Sequence, residues 1–142
     1  MPLERRLISS GSGLEKRWGY SRAVVAGRHV YVSGTAPIMP DDADPPADPY
    51  GQARRCLEII VSALGGAGAT PADVVRSRIF VTDLEAVGEV MRAHGEVFGM
   101  VRPASTGIVV AGLFDPRWLV EIEVEAVLPG QPGTGPGGPA LD

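Results

Sequence analysis

The run of residues 120–125, near the end of the chain, constrains the fold more than any other segment. Apolar and acidic residues alternate strictly through it, in the order Val120, Glu121, Ile122, Glu123, Val124 and Glu125. Because successive side chains of a strand point to opposite faces, the run predicts a strand with one apolar face and one face of three carboxylates. Three carboxylates exclude a dry core on that face. It is either solvated or a wet, partly buried interface between subunits, and both interpretations stay open.

Apolar spacing along the rest of the chain predicts one α+β domain. The predicted strands cover residues 6–9, 23–26, 29–35, 74–82, 104–111 and 119–128. Gly27-Arg28 is typical of a two-residue hairpin turn between the second and third strands. Two helices lie between the later strands, so the order predicts a single sheet with both helices on one face. Two helices cannot cover both faces of a sheet this wide.

The two helices carry signals for their ends. Asp48-Pro49 places an N-cap residue before a proline, and Gly65-Gly66 ends the first helix. Thr82-x-x-Glu85 resembles a capping box that opens a second helix reaching Phe98. The predicted buried stripes are Ala53, Cys56, Leu57, Ile60 and Leu64 in the first helix, and Val87, Val90, Met91, His94 and Phe98 in the second.

Composition narrows the class of protein. The formal net charge of the 142 residues is −4 and basic residues form no cluster longer than a pair, which argues against nucleic-acid binding. A lone cysteine, no signal-peptide pattern and no apolar run near the ~18 residues that span a bilayer favour a cytoplasmic protein without membrane contact. Residues 129–142 are mostly glycine and proline and are predicted to be a disordered tail after a domain of residues 1–128.

Six segments, in order and at matching separations, resemble motifs of the Rid (RidA/YjgF-like) family. They are Gly19–Val24 (family G-P-Y-S-Q-A), Tyr31–Gly34 (V-S-G), Gly66–Ala69 (A-G-A), Asp73–Leu84 (D-V-V…F-x-x-D-(L/M)), Arg102–Thr106 (R/F-P-A-R-S) and Leu119–Glu123 (L-V-E-I-E). The resemblance implies a chorismate-mutase-like α+β fold and a homotrimer with three clefts between subunits. It also implies hydrolysis of reactive imines and enamines to a keto acid and ammonia, with no metal or organic cofactor.

The same resemblance implies a set of site residues. Glu121 matches the family glutamate that holds or deprotonates the attacking water, and repulsion from Glu123 and Glu125 is expected to favour a raised pKa. Tyr20 matches the pocket tyrosine. Ser33 and Gly34 match the turn whose backbone shapes the pocket.

One position departs from the family pattern. Ser105, followed by Thr106, stands where the family has the arginine that clamps the substrate carboxylate, and a hydroxyl cannot neutralise that charge. Arg22, in place of the motif's glutamine, and Arg102 are the candidates to supply it. Arg22 is expected to face the same way as Tyr20, although an exposed surface arginine is the alternative for both.

The remaining candidates favour structural roles. His94 is predicted to be a packed, hydrogen-bonded core residue. Neither histidine has a motif context that pairs it with Ser105, so a nucleophilic serine is not favoured. Trp18 either packs at the cleft mouth or closes the hairpin. No cluster of His, Cys and Asp at ligand spacing indicates a metal site.

The sequence therefore supports two hypotheses for function. The first is a cofactor-independent hydrolase or deaminase of a small imine or enamine, with Glu121 handling water. The second is a non-catalytic trimer that binds a small metabolite in the same clefts. A ribonuclease, attributed to relatives, is disfavoured by the acidic composition.

Overall fold

A computed structural model describes residues 3–130 as six strands, three α-helices and short 3₁₀ turns. The strands are β1 (Arg5–Ile8), β2 (Ala23–Ala26), β3 (His29–Thr35), β4 (Val74–Val81), β5 (Ala104–Val109) and β6 (Val120–Val127). The helices are α1 (Leu14–Trp18), α2 (Pro49–Gly66) and α3 (Val87–Phe98). The predicted strands and both predicted helices are confirmed, with small shifts at their ends. The predicted tail falls outside the described residues from position 131 onward.

All six strands form one mixed sheet in the order β1-β2-β3-β6-β4-β5. Neighbouring strands are antiparallel except β4 and β5, which are parallel and are joined through α3. The last strand, β6, lies at the centre between β3 and β4. The β2–β3 turn closes on Ala26 opposite His29, with Gly27 at φ 61° as its first residue. That conformation suits glycine, so the predicted two-residue turn is confirmed.

Helices α2 and α3 both pack on one face of the sheet, hereafter the helix face. This face and the helices share one apolar core that includes Ile60, Phe98, Val30, Ile79 and Ile122. Neither α2 nor α3 lies over the opposite side of the sheet, hereafter the open face, although residues of the short helix α1 flank it near β1 and β2. The prediction of one covered and one uncovered face is confirmed.

The start of α2 follows the sequence signal. Asp48 accepts a hydrogen bond from the backbone amide of Gly51 at 2.8 Å, and Pro49 occupies the first turn. All five predicted positions in its buried stripe are at most 1 % exposed. Gln52, which sequence reasoning passed over, is buried as well. Its side chain bonds the carbonyls of Pro46 and Arg117 and the amide of Leu119, and so ties two loops to the helix.

The start of α3 differs from the prediction. Asp83, rather than Thr82, is the capping residue, because its carboxylate accepts the amide of Glu85 at 2.9 Å. A single 3₁₀ turn, Leu84–Ala86, precedes the α-helix, so the capping box predicted at Thr82 is wrong. On the predicted buried stripe, Met91 is instead partly exposed, at 36 %.

The short helix α1 was not predicted. It ends at Gly19, whose φ of 79° is left-handed and whose amide bonds the carbonyl of Glu15. The Glu15 side chain is buried and accepts hydrogen bonds from the amide and hydroxyl of Ser10. Burial raises the pKa of Glu15, but these hydrogen bonds outweigh it and hold the pKa below its ordinary value. Trp18, at the end of α1, is largely exposed.

Candidate functional site

The open face carries the acidic row predicted from the sequence. The pairing register places Glu123 beside Arg78, and Glu121 beside Phe80. Arg78 forms ion pairs with Glu125 at 3.0 Å and with Glu123 at 3.7 Å. The carboxylates of the row are therefore partly neutralised except at Glu121, which has no ion-pair partner within the described residues.

Glu121 lies against an irregularity in strand β3. The register between β3 and β6 shifts between Val32 and Thr35, so that Ser33 and Gly34 form a bulge beside Glu121. A Cβ at Gly34 would lie 3.2 Å from Cδ of Glu121, tighter than ordinary side-chain contacts. Glycine at this position therefore lets the carboxylate approach the backbone closely.

The Glu121 carboxyl is half-buried and its pKa is raised. Burial is the main cause, and repulsion from Glu123 adds to it, whereas the nearby Arg22 guanidinium acts in the opposite direction. The expected contribution of a like charge is present, but desolvation is the larger effect. A carboxylate with a raised pKa is a stronger base, which suits a group that must take a proton from water.

A cavity of about 320 Å³ opens in front of Glu121 on the open face. Its walls combine apolar side chains with two carboxylates and the glycine of the bulge: Gly34, Phe80, Val110, Gly112, Leu113, Phe114, Glu121 and Glu123. Phe114 is 92 % exposed in a single chain, which leaves this wall of the cavity without cover. The cavity is large enough for a small metabolite and is open on one side.

Tyr20 and Ser33 line a second cavity on the open face, next to the first. This cavity, of about 530 Å³, also includes Leu7, Val24 and Glu15. The Ser33 hydroxyl donates to the carbonyl of Ser21 at 2.6 Å, which holds its side chain in the β2–β3 region. Thr106 of β5 belongs to the same face, since it pairs in register with Arg78. The structure thus brings Tyr20, Ser33, Gly34, Glu121 and Thr106 to one face.

Arg22 lies on the other side of the sheet. The chain bends at this residue, and the side chain lines cavities together with Arg55 and Ile59 of α2. The expectation that Arg22 and Tyr20 face the same way is therefore wrong. The Arg22 Nη2 group donates to the carbonyl of Gly34 at 2.6 Å, so the residue supports the bulge from behind.

The environment of Arg22 is unusual for an arginine. It is 6 % exposed, and its Nε group is buried with no hydrogen-bond partner in residues 3–130. Burial lowers the pKa of Arg22, and the nearby Tyr20, Glu15 and Glu121 side chains act against that shift. The guanidinium of Arg22 fixes the backbone at Gly34 from the side of the sheet that faces α2.

Ser105 also lies on the helix face. It pairs in register with Ser77 of β4, and the two hydroxyls are 2.9 Å apart. Ser77 in turn lies 2.8 Å from Nε2 of His94, which confirms His94 as a packed, hydrogen-bonded residue. Ser105 and His94 are thus joined through Ser77, a link that no sequence motif indicates.

Ser105 and Glu121 therefore occupy opposite faces of one sheet. They cannot face one another within a single chain.

Arg102 stands apart from these groups. It lies in the turn between α3 and β5, exposed, with a left-handed φ of 55°. Its amide bonds the carbonyl of Phe98 at 2.8 Å, which closes the turn. A non-glycine residue in this conformation before a proline is strained. The structure does not bring Arg102 to either cavity of the open face.

Neither a metal site nor a membrane-spanning helix is found in the part of the chain that the structure describes. No set of three His, Cys, Asp or Glu side chains within residues 3–130 is arranged to hold a metal ion. No helix there is long and apolar enough to cross a membrane. Cys56 is fully buried on α2, and burial raises the pKa of its thiol. It is a core residue, as predicted.

Comparison with known proteins identifies relatives that match most of the chain. A protein of Streptomyces coelicolor named only as uncharacterized is 40 % identical over 85 % of this chain and 90 % of its own length. The RutC family protein UK114 of Drosophila melanogaster is 35 % identical over 87 % of this chain and 89 % of its own. TdcF of Escherichia coli, whose name describes it provisionally as a reactive intermediate deaminase, is 31 % identical over 76 % of this chain and 84 % of its own length.

A solved structure matches the fold. The crystal structure of Rv2704 from Mycobacterium tuberculosis, a member of the YjgF/YER057c/UK114 family, superposes with a TM-score of 0.80 at 44 % identity. The match covers 88 % of this chain and all of the other. The sequence model of the family called Endoribonuclease L-PSP matches residues 12–128. The chain therefore belongs to the Endoribonuclease L-PSP family, the Rid or YjgF/YER057c/UK114 family whose motifs its sequence resembles.

Proposed function

We propose that the protein hydrolyses a small reactive imine or enamine metabolite, with Glu121 positioning and activating the water. The observation that carries this proposal is the placement of Glu121 against Gly34 at the bulge, half-buried and without an ion-pair partner in residues 3–130. Its raised pKa and the cavity in front of it support a role in proton transfer. The name of TdcF, a relative, supports the reaction class.

The reaction needs little beyond positioned water. Attack of water on the imine carbon gives a carbinolamine, which releases ammonia and leaves a carbonyl compound. Glu121 would accept the proton of the attacking water and return it to the departing nitrogen. Gly34 contributes by leaving room for the carboxylate, and Arg22 holds the Gly34 carbonyl in place.

Assembly belongs to the same proposal. Glu121 and Ser105 lie on opposite faces, so a cleft containing both requires more than one copy of the chain. A homotrimer packed through its open faces would cover the carboxylate row and the exposed Phe114. Such a trimer has a small-molecule partner in each cleft and no role for nucleic acid or membrane.

The substrate is expected to differ from those of relatives that keep the arginine. Ser105 is hydrogen-bonded to Ser77 and has no positive charge to offer a carboxylate. A charge-assisted hydrogen bond contributes roughly 1.5–3 kcal/mol, so 2-iminopropanoate should be a poor substrate. The same feature favours the alternative function, a non-catalytic trimer that binds a metabolite.

The test is ammonia release from imines generated in the assay, by an amino-acid oxidase for imines that carry a carboxylate and by an amine oxidase for imines that do not. We expect the native protein to accelerate release over the spontaneous rate for at least one imine of a panel with and without carboxylates. Glu121→Gln should lower this acceleration by about 100-fold or more, the range of a lost general base.

Glu125→Gln is the matched control. Glu125 lies on the same strand and the same face but is bonded to Arg78, so its replacement should leave the rate near native. A native rate in Glu121→Gln would refute the role of Glu121. Binding of imines or their keto products without any acceleration would establish the non-catalytic alternative instead.

A further inference from the structure

Three side chains form a hydrogen-bonded chain at the edge of the helix face. Ser77 is fully buried and lies between Nε2 of His94, at 2.8 Å, and the hydroxyl of Ser105, at 2.9 Å. Ser105 is exposed, on the edge strand β5, whereas His94 is only 7 % exposed. The chain therefore connects an accessible hydroxyl to a buried imidazole.

The imidazole is suited to accept a proton. Burial lowers the pKa of His94 from its ordinary value, so the ring is neutral at pH 7 and keeps one unprotonated nitrogen. Its ring packs on Phe98, with the ring centroids 4.8 Å apart. A hydroxyl hydrogen can turn towards either neighbour, so when Nε2 is the unprotonated nitrogen Ser105 can donate to Ser77 and Ser77 to His94. A proton can then pass from Ser105 to the ring.

An apolar groove lies beside this chain, between α3 and β5. Its volume is about 200 Å³, and its lining residues are Ile79, Val81, Leu84, Val87, Val90, Met91, Gly107, Ile108 and Val109. Gly107 is two residues beyond Ser105 on the same face of β5, and Met91 is one turn before His94 on α3. No charged side chain lines the groove, so it suits a short, uncharged apolar group.

Backbone amides complete the arrangement. β5 pairs only with β4, so its other edge is free in the described chain. The amide of Val110 donates to the carbonyl of Val81 at 2.8 Å, which directs the even-numbered amides of β5 towards β4. The amides of Ser105 and Gly107 then point to the free edge. Because they lie about 6.6 Å apart along the strand, one of them at a time can donate to an oxygen that becomes negative when Ser105 attacks a carbonyl.

We propose that Ser105 is a nucleophile for acyl transfer from small uncharged esters, with Ser77 relaying its proton to His94. The Ser105 oxygen bonds to the carbonyl carbon while its proton passes to Nε2 of His94. The ester C–O bond breaks, and the departing alkoxide takes that proton. Water then hydrolyses the acyl-serine, giving a carboxylic acid and restoring Ser105.

This activity is distinct from imine hydrolysis, since neither its nucleophile nor its proton relay uses Glu121, which lies on the opposite face of the sheet in the same chain. No carboxylate in residues 3–130 hydrogen-bonds the His94 ring, so turnover should be slower than with a complete triad. The groove would hold the acyl chain. Ser105, at the position where relatives have an arginine, thereby serves as a nucleophile instead of binding a carboxylate.

The experiment uses the full chain with p-nitrophenyl butyrate and, separately, a fluorophosphonate probe read by peptide mass spectrometry. We expect the probe on Ser105. Ser105→Ala should lower ester hydrolysis at least about 10-fold and abolish labelling. Ser62→Ala, which removes an exposed hydroxyl on α2, should match the native protein.

A second variant tests the relay. Ser77→Ala leaves Ser105 in place but breaks its link to His94, so hydrolysis and labelling should both slow. Melting temperatures of the variants check folding. Native hydrolysis in Ser105→Ala, or labelling at another residue, would overturn the proposal. Loss of activity in Ser105→Ala with a native rate in Ser77→Ala would overturn the relay.

Discussion

The two faces of the sheet differ although the same strands build both. On the helix face of β6, Val120, Ile122 and Val124 are at most 2 % exposed. One residue along, Glu121 and Glu123 are half-buried at most on the open face. The apolar residues of β6 build the core that stabilises the fold. Its acidic residues are not part of that core and are available for catalysis and assembly. Substitutions on the helix face should therefore lower stability, whereas those on the open face should change catalysis or assembly.

The largest effect is expected from the helix face. Ile122→Ala removes a fully buried side chain from the centre of the core and should lower the free energy of unfolding by about 2–5 kcal/mol. Glu123→Gln, on the next residue, should change it by less than about 1 kcal/mol, because its ion pair with Arg78 is partly solvated. Urea unfolding at one fixed protein concentration measures both. Equal losses would contradict the division between the faces.

The second effect concerns assembly and should leave the fold of each chain intact. Tyr31 is 46 % exposed on the open face of β3, beside Glu125 in the register. If open faces pack together, Tyr31→Lys places an extra charge in the interface and should dissociate the trimer. Sedimentation at micromolar concentration measures this.

The control is Val61→Lys, which changes an exposed apolar residue of α2 on the other side of the molecule and should stay trimeric. A stable native monomer under the same conditions would show that the open face is solvated instead.

The smallest expected effect is on the pH dependence of stability, to which Glu121 and His94 contribute in opposite directions. The folded chain binds the Glu121 proton more tightly than the unfolded chain, so this group's stabilisation is present at low pH and is lost as pH rises from about 4.5 upward. His94 has a lowered pKa, so its contribution is lost as pH falls below about 6.5.

Glu121→Gln should therefore gain stability relative to the native protein as pH rises above about 4.5. Chemical unfolding at a series of pH values, from acidic to neutral, gives the difference. A difference that does not vary with pH would show that Glu121 titrates normally.

The elements of the fold were predictable because their apolar spacing is local. Asp48 and Gly27 act through neighbours a few residues away, and both behave as their sequence context indicates. The helix α1 was missed because five residues are too few to establish a helical period. The order of the strands in the sheet could not be predicted either, because the alternation of apolar and polar residues within a strand does not show that β6 lies between β3 and β4.

The site was only partly predictable. Glu121, Gly34 and Tyr20 share the open face, as the family resemblance implied. The directions of Arg22 and Ser105 were not foreseen. A bend turns Arg22 towards α2, and the register with Ser77 turns Ser105 to the helix face. Both depend on contacts with residues distant in the sequence, which a motif does not record.

The central place of β6 has a consequence for how the chain folds as it is synthesised. This strand is made last among residues 3–130, yet it pairs with both β3 and β4. Until it emerges, β1-β2-β3 and β4-β5 are separate halves, each with an unpaired edge. Long-range pairing of this kind slows folding and leaves edges open to wrong partners. The nascent chain should therefore need protection until its final strand closes the sheet.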